Sequence, residues 1–105
     1  MKRIFAILRP EKENDVIAAL EKENFYALTK FPVTGRGRQG GIQVGSVTYS
    51  ELAKLMVMLV VEDQDCLRAL QTIKDSAYTG HPGDGKIFVQ DVQEAYTIRT
   101  GQPGL

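Results

Sequence analysis

Residues 54–61 read KLMVMLVV, and after the lysine the side chains are apolar at odd and even positions alike. A strand that met water on one face would alternate. An unbroken run of Leu, Met and Val predicts a strand, Lys54 to Val61, that is covered on both faces. The apolar stretch from Leu55 to Val61 has seven residues, far fewer than the ~20 needed for a membrane-spanning helix. Both faces must therefore be covered by protein. Burying each such side chain is worth roughly 1.5–3 kcal/mol, enough for a second subunit to pack tightly on the face that the chain's own helices leave open.

Working outward, Ile4 to Leu8 is a short apolar run that ends at Pro10 and predicts a first strand. From Glu11 to Asn24, Val16, Ile17, Ala19 and Leu20 recur at helical spacing and predict a first helix. Phe25 to Val33 has the composition of a strand, with Pro32 suited to an edge or to a bend near its end. Between Gly35 and Gly45, GRGRQGGIQVG carries five glycines in eleven residues and predicts a mobile loop. After the central strand, Asp63 or Asp65 is placed to cap a second helix with Cys66, Leu70, Ile73 and Ala77 on one face. A turn-rich loop comes next, then a strand marked by Ile87, Val89 and Val92, and a polar tail. The order βαββαβ predicts a single α+β domain over residues 1–105 with a ferredoxin-like sheet and both helices on one face.

The charge balance, 13 Lys plus Arg against 13 Asp plus Glu, provides no overall field to hold a nucleic acid or an anionic membrane. One cysteine, Cys66, cannot form an internal disulfide, and the amino terminus has too short an apolar run for a signal peptide, so a soluble, cytoplasmic protein is expected.

Two loops hold residues suited to phosphate. In TGHPGDGK, residues 79–86, glycines let backbone N–H groups converge on an anion and Lys86 adds a cation. The spacing from Gly80 to Lys86 also satisfies GxxxxGK, but Ile87 stands where a Walker loop needs Ser or Thr, and a strand comes next where that loop needs a helix. Alone, the stretch is a turn or a phosphate cradle. GRGRQGG, residues 35–41, sets Arg36 and Arg38 among glycines, a composition suited to a polyphosphate or an acidic surface and equally to a solvated mobile loop. An RNA-binding module shares the element order, yet LMVMLVV has no aromatic ring on which a base could stack. For an enzyme, His81 stands alone in a turn and Cys66 lies on an apolar stripe, so neither has a catalytic partner in view.

RPEK (9–12), GRGRQGG (35–41), TGHPGDGKIFV (79–89) and IRTG (98–101) together resemble the PII family of nitrogen-regulatory signalling proteins. The resemblance spans nearly the whole chain and implies a homotrimer, with the sheets facing the trimer centre and ATP or ADP bound in clefts between subunits. It assigns a nucleotide-binding loop to about 79–86, with Gly83, Asp84, Gly85 and Lys86 in contact with the nucleotide. It places Thr29 and Val60 near the base, and sets Gly35, Gly37, Arg38, Gln39 and Arg99 among the nucleotide contacts, with Arg38 and Arg99 reaching the phosphates. A flexible loop at about 36–53 is implied to carry the signal. The effector implied is 2-oxoglutarate, bound beside ATP and Mg2+, with Gln39 as a metal ligand, Lys54 on the far carboxylate and Gly41 alongside. An amide oxygen is a hard ligand that suits Mg2+.

Departures from the common PII pattern narrow the resemblance. Gly40 and Met58 stand where a Lys and an acidic residue are usual, and Val47 takes the place of the modified tyrosine. The flexible loop is also about four residues shorter than the usual form, by comparison with that family pattern. With FYALTK (25–30) and GIQVG (41–45), these features resemble the nitrogen-fixation-associated branch. That branch implies a second PII-like protein and dinitrogenase as partners, with an ammonium transporter or a nitrogen-assimilation enzyme as the alternative targets.

Overall fold

Strand β1, Lys2–Leu8, buries every second side chain: Ile4, Ala6 and Leu8 are enclosed, while Phe5 and Ile7 point the other way. The computed structural model describes residues 1–38, 42–49 and 51–105. After Leu8 the chain turns through a 3-10 segment, Pro10–Lys12, and enters helix α1 at Glu13–Lys22. Proline at the first position of that turn gives up only an N–H that would have no helical partner there. The helix thus begins two residues later than expected. It closes at Asn24, whose φ of 67° is left-handed, with Phe25 N–H donating to Leu20 O at 2.8 Å.

That reversal carries Phe25 into the core, so the next strand, β2, runs Thr29–Gly35 and does not start at Phe25 as the composition predicts. A two-stranded hairpin comes after it, β3 at Ile42–Val44 and β4 at Val47–Tyr49, inside the stretch expected to be loop only. Its two-residue turn starts at Gly45, with φ of 60°. The apolar run KLMVMLVV lies within β5, Leu52–Val61; helix α2 spans Cys66–Ala77 and strand β6 spans Gly85–Asp91.

The four long strands form one antiparallel sheet in the order β2-β5-β1-β6, the ferredoxin-like arrangement. β2 is an edge strand, as Pro32 requires. Ile4, Ala6 and Leu8 stand opposite Leu59, Val57 and Leu55. Those six side chains, with Val61, pack against Val16 and Leu20 of α1 and Ala69, Ile73 and Ala77 of α2. The α2 stripe is rotated slightly from the expected one, since Cys66 is only partly buried and Ala69 is fully so. Neither Asp63 nor Asp65 caps α2 with its side chain. Asp63 instead accepts from the amino-terminal ammonium at 2.9 Å, and Asp65 accepts from Arg68 at 3.3 Å.

The opposite face of the sheet has no covering layer among the described residues. Phe5 and Phe88 stack there at 5.0 Å between ring centroids, and Phe31 and Phe88 keep 39% and 40% of their surface exposed. Met56, Met58 and Val60 share this face and are half-buried. Among the described residues no helix is long and apolar enough to cross a membrane.

Candidate functional site

At one end of the open face the two glycine-rich loops converge. A cleft of about 660 Å³ lies between Gly35, Arg36, Gly37 and Arg38 on one side and Gly83, Gly85 and Lys86 on the other, with Ile7, Leu52, Lys54 and Phe88 completing the lining. The sheet register creates this meeting. Leu8 pairs with Gly85 and Ile7 with Lys86, so the start of β6 is held at the end of β1, while Gly35 pairs with Leu52 on the far side of β5.

Of the expected nucleotide contacts, Gly35, Gly37, Arg38, Gly83, Gly85 and Lys86 line this cleft, and so does Lys54, expected at the effector. Thr29 and Val60 lie farther along the sheet, Thr29 opposite Met58 and Val60 opposite Arg3. Arg99 sits in a tail hairpin closed by a bridge between Tyr96 and Pro103. These three are not among the residues lining the cleft. Gln39 and Gly41, the other effector-site residues, and Gly40 lie outside the described residues.

Loop 79–86 is shaped by its own Asp84. The carboxylate accepts from the Thr79 hydroxyl, from the Thr79 N–H at 2.8 Å, from the Gly80 N–H at 2.9 Å and from Arg9 Nε at 3.0 Å. Hydrogen bonds from the Thr79 hydroxyl and N–H, then from Arg9 and the Gly80 N–H, hold this carboxyl well below the usual carboxylate range. Asp84 thus spends its acceptors inside the loop, although the resemblance names it as a nucleotide contact.

Two cations tie down the loop backbone. Arg9 Nη2 donates to Pro82 O at 2.9 Å and Lys54 Nζ donates to Gly83 O at 2.7 Å. Sequence reasoning assigned no role to Arg9 or to Thr79. Both stand inside the motifs RPEK and TGHPGDGK, but what Arg9 binds becomes visible only once β1 and β6 are paired.

The cleft lining includes Arg36, Arg38, Lys54 and Lys86 and, among the described residues, no carboxylate. Such a surface suits a polyanion, to which Arg and Lys can make charge-assisted hydrogen bonds. Ile7 and Phe88 add an apolar wall. Among the described lining residues there is no carboxylate to hold a bare divalent cation, whereas Mg2+ carried by a polyphosphate would need few protein ligands.

The profile of the family described as nitrogen regulatory protein P-II matches residues 1–102. The chain is 55% identical over its full length, and over the full length of the relative, to nitrogen fixation nifHD1 region GlnB-like protein 1 of Methanosarcina barkeri. It is 48% identical, again over the whole of both chains, to nitrogen fixation nifHD region GlnB-like protein 1 of Methanothermococcus thermolithotrophicus. To nitrogen regulatory protein P-II 2 of Methanothermobacter thermautotrophicus it is 44% identical over 99% of this chain and 94% of the relative. Fold, motifs and relatives agree across the whole length, and the chain belongs to the nitrogen regulatory protein P-II family.

Proposed function

We propose that this protein is a cytoplasmic regulator, not an enzyme, that binds ATP or ADP at the cleft between its two glycine-rich loops and 2-oxoglutarate beside ATP and Mg2+. The observation that carries the reading is the convergence of Arg36, Arg38, Lys54 and Lys86 on one cleft with no opposing carboxylate among the described residues. Lys86 and Arg38 would hold phosphates, and Lys54 the effector's far carboxylate. Gln39 would complete the coordination of the magnesium.

Three copies would assemble through the uncovered sheet face, with Phe5, Phe31, Met58 and Phe88 in the interface. Apolar area of this kind is the ordinary material of permanent interfaces. Assembly also gives Thr29, Val60 and Arg99 a role, because residues remote from a chain's own cleft can line a neighbour's.

The output would be the conformation of residues 36–53, whose two states the ligands favour unequally; without such differential affinity no ligand can shift them. The names of the relatives, from nitrogen-fixation regions, support dinitrogenase as the target and a second PII-like protein as co-subunit. An ammonium transporter or an assimilation enzyme would be the alternative target.

Isothermal titration tests the ligand reading: 2-oxoglutarate is expected to bind only with Mg2+ and ATP present, and equal binding without nucleotide refutes it. Capture of dinitrogenase, expected with ADP and relieved by ATP with 2-oxoglutarate, tests the target.

A further inference from the structure

Arg9 holds loop 79–86 from outside the cleft. It comes directly after Leu8 at the end of β1, where the backbone is fixed by pairing with β5 and β6, and its side chain is largely shielded from solvent. Its guanidinium reaches two points of the loop at once, Asp84 Oδ1 through Nε at 3.0 Å and Pro82 O through Nη2 at 2.9 Å. Gly83, between those two points, presents its own carbonyl to Lys54. Arg9 is absent from the cleft lining, so any effect it has on a ligand there passes through the loop.

We infer that Arg9 is a positioning residue for nucleotide binding, its planar fork fixing loop 79–86 in the shape that presents Gly83, Gly85 and Lys86 to the phosphates. The inference rests on the proposed nucleotide site. Without the fork, the loop would keep its Thr79, Gly80 and Lys54 bonds but lose its tie to the end of β1, and the cost of restoring its shape when ligand arrives would be subtracted from the affinity. A lysine at the same place offers a point charge that can serve one of the two acceptors but does not reproduce the pre-set pair.

The test is calorimetric titration of the full-length protein with ATP for the natural chain, Arg9→Met and Arg9→Lys, each with its melting temperature and oligomeric state. For Arg9→Met the dissociation constant is expected to rise about tenfold or more, the scale of losing a charge-assisted hydrogen bond. Arg9→Lys should fall between the two, and millimolar guanidinium ion should restore part of the affinity of Arg9→Met, a rescue that a general loss of folding would not show. ATP binding by Arg9→Met equal to that of the natural chain overturns the inference, as does weakening that merely tracks a lowered melting temperature and ignores guanidinium. If Arg9→Met fails to fold, Arg9→Lys decides: reduced affinity at an unchanged melting temperature supports the inference, and unchanged affinity overturns it. Failure of the natural chain itself to bind ATP removes the proposed site, an outcome distinct from failure of Arg9's role.

Discussion

The Ile7 carbonyl oxygen stands 1.7 Å from the point where a Cβ on Gly85 would lie, and Gly85 has a φ of 108°. The contact is backbone to backbone, at the first pair of the β1–β6 ladder, so no rotamer change relieves it. Gly83, two residues earlier with φ of 101°, would place its Cβ near the far ends of Arg9 and Lys54, at 3.3 and 3.6 Å. Gly85→Ala is therefore expected to lower stability by about 2–4 kcal/mol, combining a forbidden φ with an overlap that must push strands apart. Gly83→Ala, strained in φ and pressing only on the far end of the flexible Arg9 side chain, should cost about half of that. Denaturant unfolding of the two variants side by side checks the order.

Much of this fold was legible because burial obeys the strand period: Ile4, Ala6 and Leu8 against Leu55, Val57 and Leu59 come directly from two apolar runs. Pro32 allowed an edge or a bend, and β2 lies at the edge. The hairpin at 42–49 was not read, because glycine density dominated the stretch, although V-G-S-V at 44–47 is a hairpin signal in its own right. The site was legible only in part. The glycines and Lys86 leave loop 79–86 open to being a turn or a phosphate cradle, and while Thr79 and Gly80 bind Asp84 locally, its tie to Arg9 spans 75 positions of the chain. No local pattern encodes that distance.

Asp84 makes the loop sensitive to acid. Its carboxyl is depressed in the folded state, so the unfolded chain takes up its proton first as pH falls. The stabilisation is complete at neutral pH and is lost as pH drops through and below about 4, the ordinary value for Asp. Asp63, depressed by the amino-terminal ammonium, adds loss in the same direction. Asp84→Asn should thus be less stable than the natural chain at pH 7, and the gap should narrow steadily toward pH 3. Thermal melts of both proteins across that range measure it; a gap independent of pH contradicts the assignment.

The proposed assembly through the open sheet face predicts where a charge would break it. Met58 lies between Phe5 on β1 and Thr29 on β2, in the middle of that face. Met58→Lys should yield a monomer and abolish nucleotide binding along with it, because an unpaired ammonium in an apolar interface is costly. Leu67 is more exposed than Met58 but lies on α2, on the other side of the molecule. Leu67→Lys should leave both properties unchanged. Sedimentation of the two variants, and then titration with ATP, separates an interface effect from a general effect of adding charge.

Arg68 offers the converse case, stability without ligand. Its guanidinium lies 4.3 Å over the Phe25 ring, donates to Glu23 O at 2.6 Å and contacts the Glu23 and Asp65 carboxylates at 3.2 and 3.3 Å. It therefore binds the end of α1 to the start of α2, far from loop 79–86. The ion pairs are half-exposed and contribute little. The ring contact and the carbonyl bond remain, together worth about 1–2 kcal/mol. Arg68→Met is expected to lose that amount in denaturant unfolding with its ATP dissociation constant unchanged. Because Arg9→Met is expected to weaken ATP binding, the pair shows whether the proposed nucleotide site responds to overall stability or to the local shape of its loop. A parallel fall in both quantities for Arg68→Met would mean that the helical layer and the cleft are energetically one unit.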